Sequence, residues 1–240
     1  MLLMTKTMSV RPKEASFFDH LDEFRGRLIK SVLSVMVAGC FFYSFADRAL
    51  EMIIRPVGRI VFTAPGDAFT ARIMLSFLGG FFLALPVILF QVWRFIAVGL
   101  KEHEIRYIRF FGPCSAVLFL LGGAFAYFVF IPISIRFLLS FSTASIVPMI
   151  TIKNYMSFVV TMLLAFGVIF ELPLVLMFLT KVGIATPEVL VQKRRHAIVI
   201  ILIVSALLTP PDCVTQLIMA VPLMLLYEAG IIVSKLTCRR

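Results

Sequence analysis

Read for hydrophobicity alone, the chain alternates long apolar runs with short polar connections. Six runs stand out, at about residues 28–46, 74–98, 110–135, 155–180, 196–210 and 213–234. They are unbroken rather than alternating with a period of two. Only helices and closed barrels satisfy every backbone N–H and C=O in hydrocarbon, and unbroken apolar runs select helices. The pattern predicts an all-α integral membrane protein, one domain over residues 1–240, with six transmembrane helices and no internal repeat. The last two runs are short. Fourteen residues separate Arg195 from Pro210, and fifteen separate Asp212 from Glu228. Fourteen helical residues rise about 21 Å, against roughly 30 Å of hydrocarbon. Two such neighbours, joined by the turn "TPPD" with Pro210 and Pro211, are expected to thin the bilayer or leave a recess. The plain alternative is that their charged flanks snorkel.

Composition strengthens this reading. The chain is 61% hydrophobic, with a mean hydropathy of +1.03, where a soluble domain carries about 45–50% apolar residues. The net charge of +10 matters less than its distribution. With the N-terminus inside, the inner segments hold 17 of the 23 basic residues, and the outer connections hold six: Arg48, Arg55, Arg59, Arg72, Arg136 and Lys153. Basic residues collect on the cytoplasmic side, so both termini are expected there. The basic residues lie between spans and do not form one face, which argues against a nucleic-acid partner. The outer connections 47–73 and 136–154 carry apolar residues at helical spacing, broken by Pro56, Pro65 and Pro148. Short helices and turns capping the outer face are expected there. The N-terminus lacks the 7–15-residue apolar core of a signal peptide.

Little points to catalysis. No Gly-Lys pair occurs, so there is no phosphate-binding loop of the GxxxxGK[ST] kind. "HEIRY" begins like a zinc-protease motif but ends in Tyr107. His20, His103 and His196 are scattered among charged residues at span ends, as solvated histidines are. Cys40, Cys114, Cys213 and Cys238 form no CxxC pair and read as small hydrophobes. Neither a metal, a cofactor nor an enzymatic activity is expected.

Two polar features do stand out. The first is "FFDHLDEFRGRL". At 100° per residue Phe17, Leu21, Phe24 and Leu28 share a face, and Asp19, Asp22 and Glu23 lie opposite. Residues 1–27 are therefore expected to include an amphipathic helix on the inner membrane surface, running into the first span. Glu23 and Arg27 form an i,i+4 pair worth only about 0.2–0.5 kcal/mol, and the acids could do no more than solvate the helix. The second is Glu171, in "FGVIFELPLVL". Ten residues before Lys181, it lies about 15 Å from the inner end of the fourth span. An ionised carboxylate at that depth costs about 2.5–3.5 kcal/mol, which favours the neutral acid. Pro173 cannot donate to the carbonyl of Ile169, which loosens the helix beside it. Glu171 then either bonds the freed backbone or a neighbouring span, or faces a wet concavity and meets a partner. A competing class, a proton-coupled small-molecule transporter with Glu171 as proton carrier, predicts an inverted repeat and an unwound helix at mid-membrane. Neither is visible in the sequence.

These pieces together resemble a family. "HLDEFRGRL" is similar to the H-L-x-E-L-R-x-R-L motif of TatC, the multispanning receptor subunit of the twin-arginine protein translocase. Further matches follow in order: Pro56, "PVILFQVWRFIAVGL", His103–Glu104, "FAYFVFIPIS", "FGVIFELP", "LLTPPDCVTQ" and "VPLMLLYEAGI". The chain departs from the family at Ile105, where a basic residue is usual, and at Met74, where a lysine is usual beyond Asp67 and Phe69. The resemblance implies a concave six-helix bundle in the bacterial inner membrane. It implies a receptor for signal peptides with two adjacent arginines, which assembles with itself and with TatA- and TatB-like single-span partners. Transport would run on the proton-motive force. A guanidinium is always charged and its fork matches a carboxylate. Motif by motif, Glu23 and Glu104 would be the arginine acceptors, with Phe95 and Arg25 beside them, and Asp19, Asp22 and Glu102 as helpers on spacing alone. Gln216, with Thr209 and Asp212, would dock the partner helices, since an amide in lipid seeks a partner across helices for about 0.6–2 kcal/mol; the plain alternative is a hydrogen bond of Gln216 within this chain. Glu171 would face the concavity.

Overall fold

The computed structural model describes residues 17–55, 57–58, 60–98, 102–143, 148–209 and 212–238. Pro56, Pro210 and Pro211 lie outside them. The described residues are mostly helical: α1 (Phe17–Tyr43), α2 (Ala46–Ile54), α3 (Asp67–Val98), α4 (Glu102–Phe125), α5 (Ile131–Leu139), α6 (Ile152–Phe170), α7 (Leu172–Lys181), α8 (Pro187–Gln192), α9 (Arg194–Leu208) and α10 (Cys213–Cys238). Among the described residues, five helical stretches are long and apolar enough to cross a bilayer: Leu21–Tyr43, Asp67–Ala97, Phe110–Leu139, Ile152–Lys181 and Cys213–Thr237. The sixth expected run is α9, whose 15 residues rise only about 22 Å. The N-terminal amphipathic helix and the first span are one continuous element, α1.

Two spans expected to be uninterrupted are not, and proline explains both. Pro132 cannot donate to the carbonyl of Phe128. The turn before it, Ala126–Phe130, is π-helical, with the N–H of Ile131 donating to Ala126. This extra residue per turn absorbs the missing bond between α4 and α5. Likewise Pro173 stands in the first turn of α7. The helix stops at Phe170, and the Glu171 N–H turns back to the Val168 carbonyl at 3.1 Å. The expected span 155–180 is therefore two helices, α6 and α7, meeting at Glu171.

α6 is the centre of the bundle. Its Met156, Val159, Met162 and Phe166 are fully buried, at the spacing that puts them on one side of a helix. Phe130 packs on Phe166, with ring centroids 4.8 Å apart. Small residues let the backbones approach where helices cross. A Cβ at Gly122 of α4 would run into the Phe166 carbonyl of α6, and one at Gly80 of α3 would run into the Gly39 backbone of α1. At one end of the bundle Trp93, Phe111 and Phe178 lock α3, α4 and α7 together, with Trp93 stacked on Phe111 at 5.2 Å and set edge-on to Phe178 at 5.5 Å. At the other end the long connections form an ordered cap. Tyr127 and Tyr155 donate their hydroxyls to the Met52 and Ile53 carbonyls at the end of α2, at 3.0 and 2.7 Å. Val61 is bridged to the start of α6, its N–H on Ile150 and its carbonyl on Ile152, at 3.1 and 2.9 Å.

Candidate functional site

The starts of α1 and the end of α3 come together at the aromatic end of the bundle. Glu23 and Arg27 form an ion pair one turn apart on α1. The same guanidinium reaches Gln91 Oε1 of α3 at 3.5 Å. Beside them Phe24 meets Phe95, with ring centroids 5.4 Å apart. Phe95 follows Trp93 by two residues, which turns it to the side of α3 away from the aromatic lock and towards α1. Glu23 is half-buried and Arg25 exposed. Thus the structure brings Phe95 of α3 onto Phe24, the residue after Glu23 on α1. Glu104 lies in the first turn of α4; its side chain is outside the described residues, as are those of Asp19 and Glu102. The Glu23–Arg27 pair was expected from its i,i+4 spacing; Gln91 was not singled out, and nothing local signals it.

Glu171 occupies the break between α6 and α7. Its carboxylate accepts a hydrogen bond from Ser115 Oγ of α4 at 2.8 Å. Ser115 is almost wholly buried, at 2% exposure, whereas Glu171 is only half-buried. One carboxyl oxygen is thereby fixed to a neighbouring helix, and the group remains reachable. Of the two bonding possibilities for Glu171 within the protein, a neighbouring span is the one realised. Ser115 was missed because a single serine in an apolar run carries no pattern.

At the α9–α10 hairpin the three residues expected to dock partners have bonds of their own. Gln216 Nε2 donates to the Leu202 carbonyl of α9 at 3.1 Å. Asp212 caps α10, accepting from the Thr215 N–H at 2.6 Å and from its hydroxyl. Thr209 Oγ1 donates to the Ser205 carbonyl at 2.8 Å, and Thr209 is buried. Gln216 keeps a second N–H and its carbonyl, so its capacity is not exhausted. Further along the hairpin Arg194 pairs with Glu228 at 2.7 Å. Among the described residues no group of three His, Cys, Asp or Glu is placed to hold a metal.

Membrane-long apolar helices packed around a half-buried carboxyl define a multi-pass membrane protein. The comparisons carry this further. The family model for the Sec-independent protein translocase protein TatC matches residues 19–222. The TatC protein of Carboxydothermus hydrogenoformans is 38% identical over 228 residues, covering 93% of this chain and 94% of its own. That of Aquifex aeolicus is 37% identical over 230 residues, covering 92% and 95%. A crystal structure of the twin-arginine translocase receptor TatC superposes with a TM-score of 0.82 at 38% identity, covering 92% of this chain and all of that one. The chain belongs to the TatC family. It is a membrane component of the Sec-independent protein translocase, and not an enzyme.

Proposed function

We propose that this chain is the receptor of a twin-arginine translocase: it binds signal peptides with two adjacent arginines and assembles with TatA- and TatB-like single-span partners for export driven by the proton-motive force. The observation that carries this reading is the Glu23–Arg27 ion pair set beside the Phe24–Phe95 and Arg27–Gln91 contacts between α1 and α3. Glu23 already holds a guanidinium. A peptide arginine arriving there exchanges one charged fork for another, with Phe95 offering apolar contact. Glu104 is the second acceptor and Arg25 lines the same helix. Within the bilayer, Glu171 presents its remaining oxygen to a polar group of a partner span or of the inserted peptide. Gln216, with Thr209 and Asp212 holding the hairpin around it, meets partner helices. The domain is single, residues 1–240, with the amphipathic segment 1–27 on the cytoplasmic surface. α9 is counted as the fifth of six spans around a concavity. Both termini are cytoplasmic, in the bacterial inner membrane.

The experiment is titration of a labelled twin-arginine peptide onto the purified protein. Glu23→Lys and Glu104→Lys replace attraction by repulsion and should each weaken binding more than the corresponding change to Gln. Arg27→Gln removes the internal competitor and should tighten it. Unchanged affinity in both Lys variants would refute the receptor site.

A further inference from the structure

Lys193, Arg194 and Arg195 stand at the start of α9, Lys193 as N-cap and the arginines as the first helical residues. A helix N-terminus carries about half a positive charge, so cations there oppose the helix dipole. All three are exposed. Arg194 is answered by Glu228 of α10. Lys193 and Arg195 have no partner among the described residues. From position 181 to 196 the one acid is Glu188, which is itself exposed.

The same connection exposes apolar side chains. Ile184 is 70% exposed and Val189 43%. Pro187 and Leu190 are the buried residues of α8, and the Tyr227 hydroxyl of α10 donates to the Leu190 carbonyl at 2.8 Å. α8 is thus held against α10 with Val189 on its outer side. The exposed apolar surface continues along α9 through Ile198, Val199 and Ile203. Unanswered cations among exposed aliphatic side chains, continuous with the exposed apolar side of α9, have the chemistry of the headgroup layer. An acidic soluble partner would answer the charges and leave the aliphatic surface in water.

We infer that the α7–α9 connection is a binding surface for anionic phospholipid. Lys193 and Arg195 take the phosphate, and Ile184 and Val189 enter the bilayer beside the acyl chains. The site needs no assumption about which leaflet it faces. The test uses the full-length protein in mild detergent, with phosphatidylglycerol or phosphatidylcholine added and bound lipid counted by native mass spectrometry. A basic residue near an anionic surface contributes roughly fivefold in affinity. The Lys193→Gln, Arg195→Gln double variant should therefore lose roughly twentyfold for phosphatidylglycerol and be unchanged for phosphatidylcholine. Lys193→Arg with Arg195→Lys should bind like the parent. Lys153→Gln, an exposed basic residue on α6, should also bind like the parent. Both sites are exposed, and an unchanged melting temperature without lipid establishes that the double variant is folded. Equal affinity for the two lipids in the parent, no loss in the double variant, or an equal loss in Lys153→Gln overturns the proposal. So does displacement of the lipid by inorganic phosphate, which marks a soluble-anion site.

Discussion

A carboxyl group in a membrane span survives when something nearby makes use of its oxygens. Ser115 does so for Glu171, and it does so across 56 residues of sequence. The bond needs an acceptor and not a charge, so a side-chain amide can replace the carboxyl. Glu171→Gln is expected to keep most export of a twin-arginine reporter, while Glu171→Leu loses much of it with the protein still inserted. Ser115→Ala should cost part of the activity in the parent and nothing further in Glu171→Leu. Contacting groups show such non-additivity at about 0.5–3 kcal/mol. If Gln proves as damaging as Leu, the site uses a titrating proton and the hydrogen-bond account fails.

At the scale of the element, prolines and glycines set the geometry. Pro132 and Pro173 remove donors, and the chain answers with a π-helical turn in one span and a helix break in the other. Glu171 stands at the break, between α6 and α7, within reach of Ser115 of α4. Glycines decide how closely the helices meet. Gly122 lies against the Phe166 backbone, whereas a Cβ at Gly112 on the same helix meets nothing within 4 Å. Gly122→Ala should therefore lower the melting temperature in detergent by several degrees, since overpacking costs about 1–3 kcal/mol. Gly112→Ala should leave it unchanged or raise it slightly. Equal melting of the two variants would show that the α4–α6 crossing can open without cost.

For the whole molecule, the order of the helices sets which connections face which side of the membrane. α9 is too short to span unstrained, but it runs antiparallel to α10, with Gln216 against Leu202 and Arg194 against Glu228. A six-span arrangement puts Ser142 and Glu188, both exposed, on opposite sides of the membrane. In a variant lacking the native cysteines, Ser142→Cys should react with an impermeant maleimide from outside, and Glu188→Cys only after the membrane is opened. Labelling of both from one side would mean that α6–α7, the one span between the two positions, does not cross, and would overturn the six-span arrangement.

The sequence by itself determined the class of protein, the places of its long helices and its family, because lipid demands apolar side chains along the whole of each span. That demand is written residue by residue and needs no neighbour to be read. The short α9 and the weak point at Pro173 were legible for the same reason, since length and the missing donor are local properties. Glu23 was legible as part of a motif, and the resemblance set Phe95 beside it; the ring contact of Phe95 with Phe24 was not legible. The partners of Glu171, Gln216 and Arg27 belong to the tertiary structure alone. They lie on other helices, at Ser115, Leu202 and Gln91, and only the crossing of those helices brings them within reach. Hydrophobic pattern says which side of a helix turns inward; it does not say which helix waits there. Close approach at Gly122 and Gly80, the aromatic lock at Trp93 and the bonds from Tyr127 and Tyr155 to the end of α2 settle that choice, because side-chain shapes must fit and buried polar groups must be paired.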